Sequence, residues 1–191
     1  KIRVKGKSLE ISDTVNCIAM NLDKFERIFL IGIGKGSALS CASLAKILGK
    51  KLTKGIALDV NRPNLQSSIF NLQFLIGTHP LPSQQNIKAT QEIIKLATGA
   101  GEKDLIISFI CGGGSALLCG SQKELKSSKT IFKELTNKGA DIIEPNTVRK
   151  HLSEIKGVGL AKIAYPATMI SLIISDVLGN DLSMIASGPA V

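Results

Sequence analysis

The sequence has no tryptophan and a single tyrosine among its 191 residues. Flat aromatic platforms, on which nucleobases stack, are therefore nearly missing. This counts against the nucleic-acid reading that a net charge of +9 would otherwise invite. The lysines are also scattered (Lys46, Lys50, Lys54, Lys88, Lys95, Lys123, Lys129) instead of clustered. Such a pattern describes a solvated surface and suits a site for small anions. Long apolar runs are missing too. Segments such as Met169–Ile174 are far too short to span a bilayer. The opening stretch, KIRVKGKSLEIS, has charge but lacks the apolar core of a secretion signal. The expected partner is thus a small molecule, with neither nucleic acid nor membrane. The four cysteines, Cys17, Cys41, Cys111 and Cys119, form no CxxC pair and no cluster with the two histidines. Reduced thiols in a cytoplasmic protein are expected.

What is present is an alternation of apolar runs and helix-like stretches. Strands are expected at Arg27–Ile33, Gly55–Val60, Leu72–Ile76, Leu105–Ile110 and Met169–Ser175. Helices are expected at Ser37–Leu48, Asn86–Leu96, Thr130–Asn137 and Thr147–Ile155. In the first of these, Leu39, Ala42, Leu44, Ala45, Ile47 and Leu48 recur at helical spacing, and in the second Ile87, Ile93, Ile94 and Leu96 are expected to face inward. Ser83 can cap the helix at Asn86, and Asn146 the helix at Thr147. Alternation of this kind predicts an α/β fold: one Rossmann-like, mainly parallel sheet with helices on both faces. Ligands bind such sheets beyond the carboxyl ends of the strands, so the strand-to-loop junctions carry the functional information.

At the first junction, Gly32, Gly34 and Lys35 lead from a strand into a helix. Glycines there let a ligand approach the backbone, and Lys35 can reach a phosphate or a developing oxyanion. A dinucleotide fingerprint would need glycine where Ser37 stands, although Asp59 could serve a ribose hydroxyl. At the second, Gly112, Gly113, Gly114 and Ser115 follow a buried strand and can form an anion cradle. The third, NTVRKHLSEIKG, brings Arg149, Lys150 and His151. Arginine grips phosphate or carboxylate with two bonds, lysine as a point charge. At the fourth, Asp176 and Asp181 follow the last strand, and a carboxylate there suits Mg²⁺ held partly through water. The turn at Ser187–Pro189 could touch an anion, and His79 could reach a substrate. Three readings share these junctions: a phosphoryl-transfer enzyme, a nicotinamide dehydrogenase, and a domain that binds nucleotide or sugar acid without catalysis.

Five segments in this order, GIGKGSA, THPLP, CGGGSALL, GADIIEPNTVRKHLSEIKG and SDVLGNDLSMIASGP, resemble the glycerate 2-kinase family. Its members are two-domain kinases with a MOFRL-type second domain, also known as hydroxypyruvate reductases. The resemblance implies transfer of the γ-phosphoryl of ATP, with Mg²⁺, to the 2-hydroxyl of D-glycerate. It implies that Lys35 is catalytic and that Gly32, Gly34, Gly112–Ser115, Asn146, Arg149 and Lys150 bind the anionic ligands. Asp176 and Asp181 are the implied metal ligands, and a homodimer is a further expectation. The family turn reads GAGKA, where this chain has Ile33 and Gly36, and its loop reads SGGGS, where this chain has Cys111. The resemblance also implies that residues 1–191 are one Rossmann-like domain, truncated before the second domain and with little activity alone.

Overall fold

The structure, a computed structural model, describes residues 1–12, 17–64, 69, 71–137, 147 and 150–191. Among the described residues, eight strands form two sheets. The first sheet is antiparallel and comprises β1 (Ile2–Lys5), β2 (Ser8–Ser12) and β3 (Cys17–Asn21), in that order. The second contains β4 (Arg27–Ile33), β5 (Lys54–Asp59), β6 (Leu72–Ile76), β7 (Asp104–Ile110) and β8 (Thr168–Ile173). Its order is β6-β5-β4-β7-β8, and all four pairings are parallel. This is the expected α/β sheet. The five expected strands are present within a residue or two of the expected bounds.

Helix α1 (Ser37–Leu48) covers one face of the parallel sheet, while α2 (Gln84–Thr98) and α5 (Gly159–Ala164) cover the other. Between them lie α3 (Gly114–Leu117) and α4 (Gln122–Asn137). Side chains alternate along β4: Ile28 and Leu30 face α1, whereas Phe29, Ile31 and Ile33 face α2. Covered on both faces, β4 and β7 are apolar almost throughout, as central parallel strands require. The antiparallel sheet, which the sequence reading did not anticipate, packs Ile2, Val4 and Leu9 into the α1 layer. Because α1 meets a sheet on only part of its circumference, Leu39 and Ile47 are exposed. Helix α4 begins eight residues before the expected Thr130. The expected stop at Gly139 lies outside the described residues.

Two local features hold the ends of the sheet. Ser83 caps α2 as expected, and Asn86 completes a capping box with it. At the opposite end, Arg27 grips Asp104 with bonds of 3.0 and 2.6 Å. The Arg27 hydrogen bond holds the Asp104 carboxyl below its ordinary value of 3.8. A depressed carboxylate contributes stability that is complete above that ordinary value and is lost as pH falls through the folded one. Asp104→Asn will therefore flatten the acid limb of a melting-temperature profile below pH 4, relative to wild type, as read by circular dichroism.

Candidate active site

The order of the parallel sheet reverses between β4 and β7, and ligands of such sheets bind beyond the carboxyl ends at that point. Both glycine turns leave the sheet here. They are pinned together: Cys111 N–H donates to Ile33 O at 2.8 Å, and Lys35 N–H to Gly112 O at 2.9 Å. Gly34 has φ 113°, and a Cβ on it would collide with the carbonyl of Cys111. Only glycine allows the two turns to lie this close.

The three glycines after β7 have three separate reasons. A Cβ on Gly112 would overlap the Asp176 carboxylate, so its absence lets Asp176 lie over the loop. Gly113 has φ 81°, and the space its side chain would take is bounded by Lys35 carbons at 3.2 Å and His79 Cδ2 at 3.4 Å. Gly114 is in contact with Ala186 and Ile33. Among the described residues, the N–H groups of Gly112, Gly113, Gly114 and Ser115 donate to no protein acceptor. The loop is thus a set of unused donors beside a lysine and a carboxylate.

A cleft of about 300 Å³ opens over this loop, lined chiefly by His79, Gly112, Gly113, Ser115, Asp176 and Met184. A second, of about 450 Å³, is lined by Lys35, Asp59, Asn61, Arg62 and the start of α1. The exposed Lys35 side chain lines the second and lies against Gly113, which lines the first. One lysine therefore stands between two ligand-sized spaces.

The sequence-predicted residues divide as follows. Gly112, Gly113, Ser115 and Asp176 line the first cleft, with Lys35 packed against Gly113 beside it and Gly114 buried beneath, against Ala186. Gly34 supports it from behind. Gly32 lies inside β4, where a Cβ would stand 2.5 Å from Cys41 Sγ. This is a correction: Gly32 makes room for α1 and touches no ligand space. Lys150 reaches the edge of the cleft, with Nζ 3.3 Å from Ser183 Oγ and 3.7 Å from Met184 Sδ. Asp181 lines neither cleft. It accepts from Ser183 N–H at 2.9 Å, and its hydrogen bonds to Ser183 hold its carboxyl below the ordinary carboxylate range. Among the described residues, no three His, Cys, Asp or Glu side chains gather as a metal cage. Asn146 and Arg149 lie outside the described residues.

Two side-chain roles, those of Asn86 and Asp59, escaped the sequence reading, whereas the burial of three cysteines was expected. Buried Asn86 ties the His79 loop to α3: its Oδ1 accepts from Thr78 N–H at 2.9 Å, and its Nδ2 donates to Leu117 O at 3.2 Å. An asparagine at the third helical position, just after a capping serine, was the available signal. Asp59 is buried, and its two oxygens accept from Ala38 N–H at 3.0 Å and Val60 N–H at 2.6 Å. The carboxylate thus occupies the start of α1, where a dinucleotide pyrophosphate would sit. Three cysteines are buried, and burial pushes the Cys111 thiol up to about 11. Cys111 therefore meets the site as an inert packing residue.

Comparison with known proteins places this geometry. The family described as "Domain of unknown function (DUF4147)" matches residues 3–191. The D-glycerate 2-kinase of Thermotoga maritima is 33% identical over 99% of this chain and 46% of its own. A protein of Agrobacterium vitis, provisionally named a hydroxypyruvate reductase, is 40% identical over 86% of this chain and 38% of its own. The crystal structure of a Thermotoga maritima glycerate kinase superposes with a TM-score of 0.78 at 34% identity, covering 87% of this chain and 40% of that one. The chain spans less than half the length of each of these relatives. With the same parallel sheet, and a family match across nearly all of its residues, the chain belongs to the glycerate 2-kinase family, as its N-terminal DUF4147 domain.

Proposed function

We propose that the chain carries the phosphate-handling part of a glycerate 2-kinase, which transfers the γ-phosphoryl of ATP to the 2-hydroxyl of D-glycerate. The observation that carries this reading is Lys35 between two clefts, beside a loop of unused N–H donors. Phosphoryl transfer asks little covalent chemistry of a protein. It needs two substrates held in line and a place for the charge of the moving group. Lys35 supplies a point charge where the two spaces meet, and the N–H groups of Gly112–Ser115 supply fixed dipoles. The Ser115 hydroxyl and the Lys150 ammonium add donors at the rim.

The donor set also fits Mg²⁺. Asp176 presents hard carboxylate oxygens at the loop, and Mg²⁺ is commonly held by one or two carboxylates with phosphate oxygens and water. When bound, the ion neutralises phosphate charge. Asp176 would hold it beside the loop, where the absence of a side chain on Gly112 lets the carboxylate lie. Gly112→Ala will displace the Asp176 side chain, which is exposed and free to swing, so the fold will survive. The Mg²⁺ concentration for half-maximal activity will rise about 10- to 100-fold, which a metal titration of the rate reads directly.

The reductase reading is disfavoured by Asp59. It is buried, and its two oxygens already accept from backbone N–H groups at the start of α1 and of Val60, so it serves the fold as a cap and a nicotinamide ribose would have to compete for it. A two-arm assay separates the readings. One arm supplies Mg-ATP and D-glycerate and identifies 2-phosphoglycerate by phosphorus NMR. The other supplies NADH and hydroxypyruvate and follows absorbance. Product in the first arm alone supports the kinase. NADH oxidation alone overturns it.

A further inference from the structure

The segment closing the cleft has a backbone that few sequences adopt. Ala186, Ser187 and Gly188 have φ of 52°, 62° and 58°, three left-handed residues in succession, two of which carry side chains. A non-glycine residue in that region is strained and persists only where its surroundings hold it. Here they do. Ser187 N–H donates to Met184 O at 3.1 Å, Gly157 N–H to Ser187 O at 2.9 Å, and Val158 N–H to Gly188 O at 2.7 Å. The turn is thus clamped from both sides. Clamping directs Ala186 onto Gly114 and aims Ser187 at the neighbouring serine of the glycine loop.

Ser187 Oγ lies 2.7 Å from Ser115 Oγ. Two hydroxyls can share one bond in either sense, but burial decides the sense here. Ser187 is completely buried, so its proton has no water to donate to and must find a protein acceptor. Ser115 Oγ is that acceptor. Ser115 lines the cleft, and among the described residues its hydroxyl has no second protein partner. With one lone pair engaged from behind, its own proton points forward into the cleft. A serine hydroxyl otherwise rotates freely and serves equally as donor or acceptor.

We propose that Ser187 is a positioning residue: it fixes the Ser115 hydroxyl as a donor toward the anionic group in the cleft. This rests on the kinase reading. The strained turn thereby has a function, because an ordinary helical turn at 186–187 would not bring both side chains onto the glycine loop.

The test compares Ser187→Ala and Ser187→Gly, each with and without Ser115→Ala, in full-length protein assayed with Mg-ATP and D-glycerate. Both single variants remove the hydroxyl, but glycine relieves the left-handed strain while alanine keeps it. Their melting temperatures should therefore separate, with the glycine variant the higher. Their kcat values should fall together, by about tenfold, the worth of one well-placed hydrogen bond. In the Ser115→Ala background the same substitutions should cost no more than about twofold, because the group they orient is gone. Wild-type kcat in Ser187→Gly would overturn the proposal, since only backbone shape would then matter. So would losses that multiply with Ser115→Ala. Absence of turnover by the wild-type protein itself would refute the kinase reading, and the proposal with it.

Discussion

Lys35→Met will lower kcat for glycerate phosphorylation about a thousandfold, while the melting temperature stays close to that of wild type. Removing one preorganised charge-stabilising donor costs about 10²–10³ in rate, and Lys35 stands where both substrates must meet. Its side chain is exposed and forms no salt bridge among the described residues. Its loss therefore leaves no buried partner stranded, and exposed substitutions of this kind usually stay within about 0.5 kcal/mol in stability. Lys35→Arg will recover only part of the rate, because a planar fork does not reproduce a compact ammonium. Stopped assays with chromatographic detection of product can follow so low a rate. A loss under tenfold would remove Lys35 from the chemistry.

The second large effect concerns stability. Lys156 Nζ meets Glu124 Oε1 at 2.5 Å, and both side chains are almost wholly buried, at 1% and 3% exposure. Glu124 Oε2 also accepts from Gly120 N–H at 2.7 Å. The pair joins α4, which carries the cleft residue Phe132, to the turn whose Gly157 holds Ser187. Lys156→Met will leave the Glu124 charge buried and will cost about 3–5 kcal/mol. The double variant Lys156→Met, Glu124→Leu will recover part of that loss, because the Glu124 charge is then no longer left buried opposite a methionine. Urea denaturation reads both midpoints. Equal midpoints for the single and double variants would show that the burial cost of the charge is not what matters.

The parallel sheet was legible because its strands are covered on both faces and so read as continuous apolar runs. RIFLIGI and DLIISFI each map onto a whole strand. The antiparallel sheet was not, because IRVK and SLEIS alternate over only a few residues and their charges read as surface. Helix α4 was half hidden for a different reason. Its inward face at the start carries Glu124 and Ser128 beside Leu125, so periodicity saw a mostly polar stretch, and the pairing of Glu124 with Lys156 explains why a carboxylate is buried there. The glycine loop was legible as a whole. The separate causes at Gly112, Gly113 and Gly114 were not, since each depends on a neighbour distant in sequence: Asp176, Lys35 and Ala186. Gly32 shows the converse. A motif position looked functional, yet the contact with Cys41 makes it a packing glycine. Ser187 could be noticed as part of a turn, but its burial and its hydrogen bond to Ser115 belong to the tertiary structure.

The central claim is that the glycine loop and Lys35 form a cradle for nucleotide phosphate. A thermal-shift titration tests it most directly, with Mg-ATP and NADH in parallel on wild type, Lys35→Ala and Ser115→Ala. A ligand that binds only the folded protein raises its stability by about 2.7 kcal/mol at a hundred times its dissociation constant. The account predicts that Mg-ATP raises the wild-type melting temperature, that both variants blunt the rise, and that NADH has no effect. A rise with NADH and none with Mg-ATP, or an Mg-ATP shift that both variants leave intact, would contradict it.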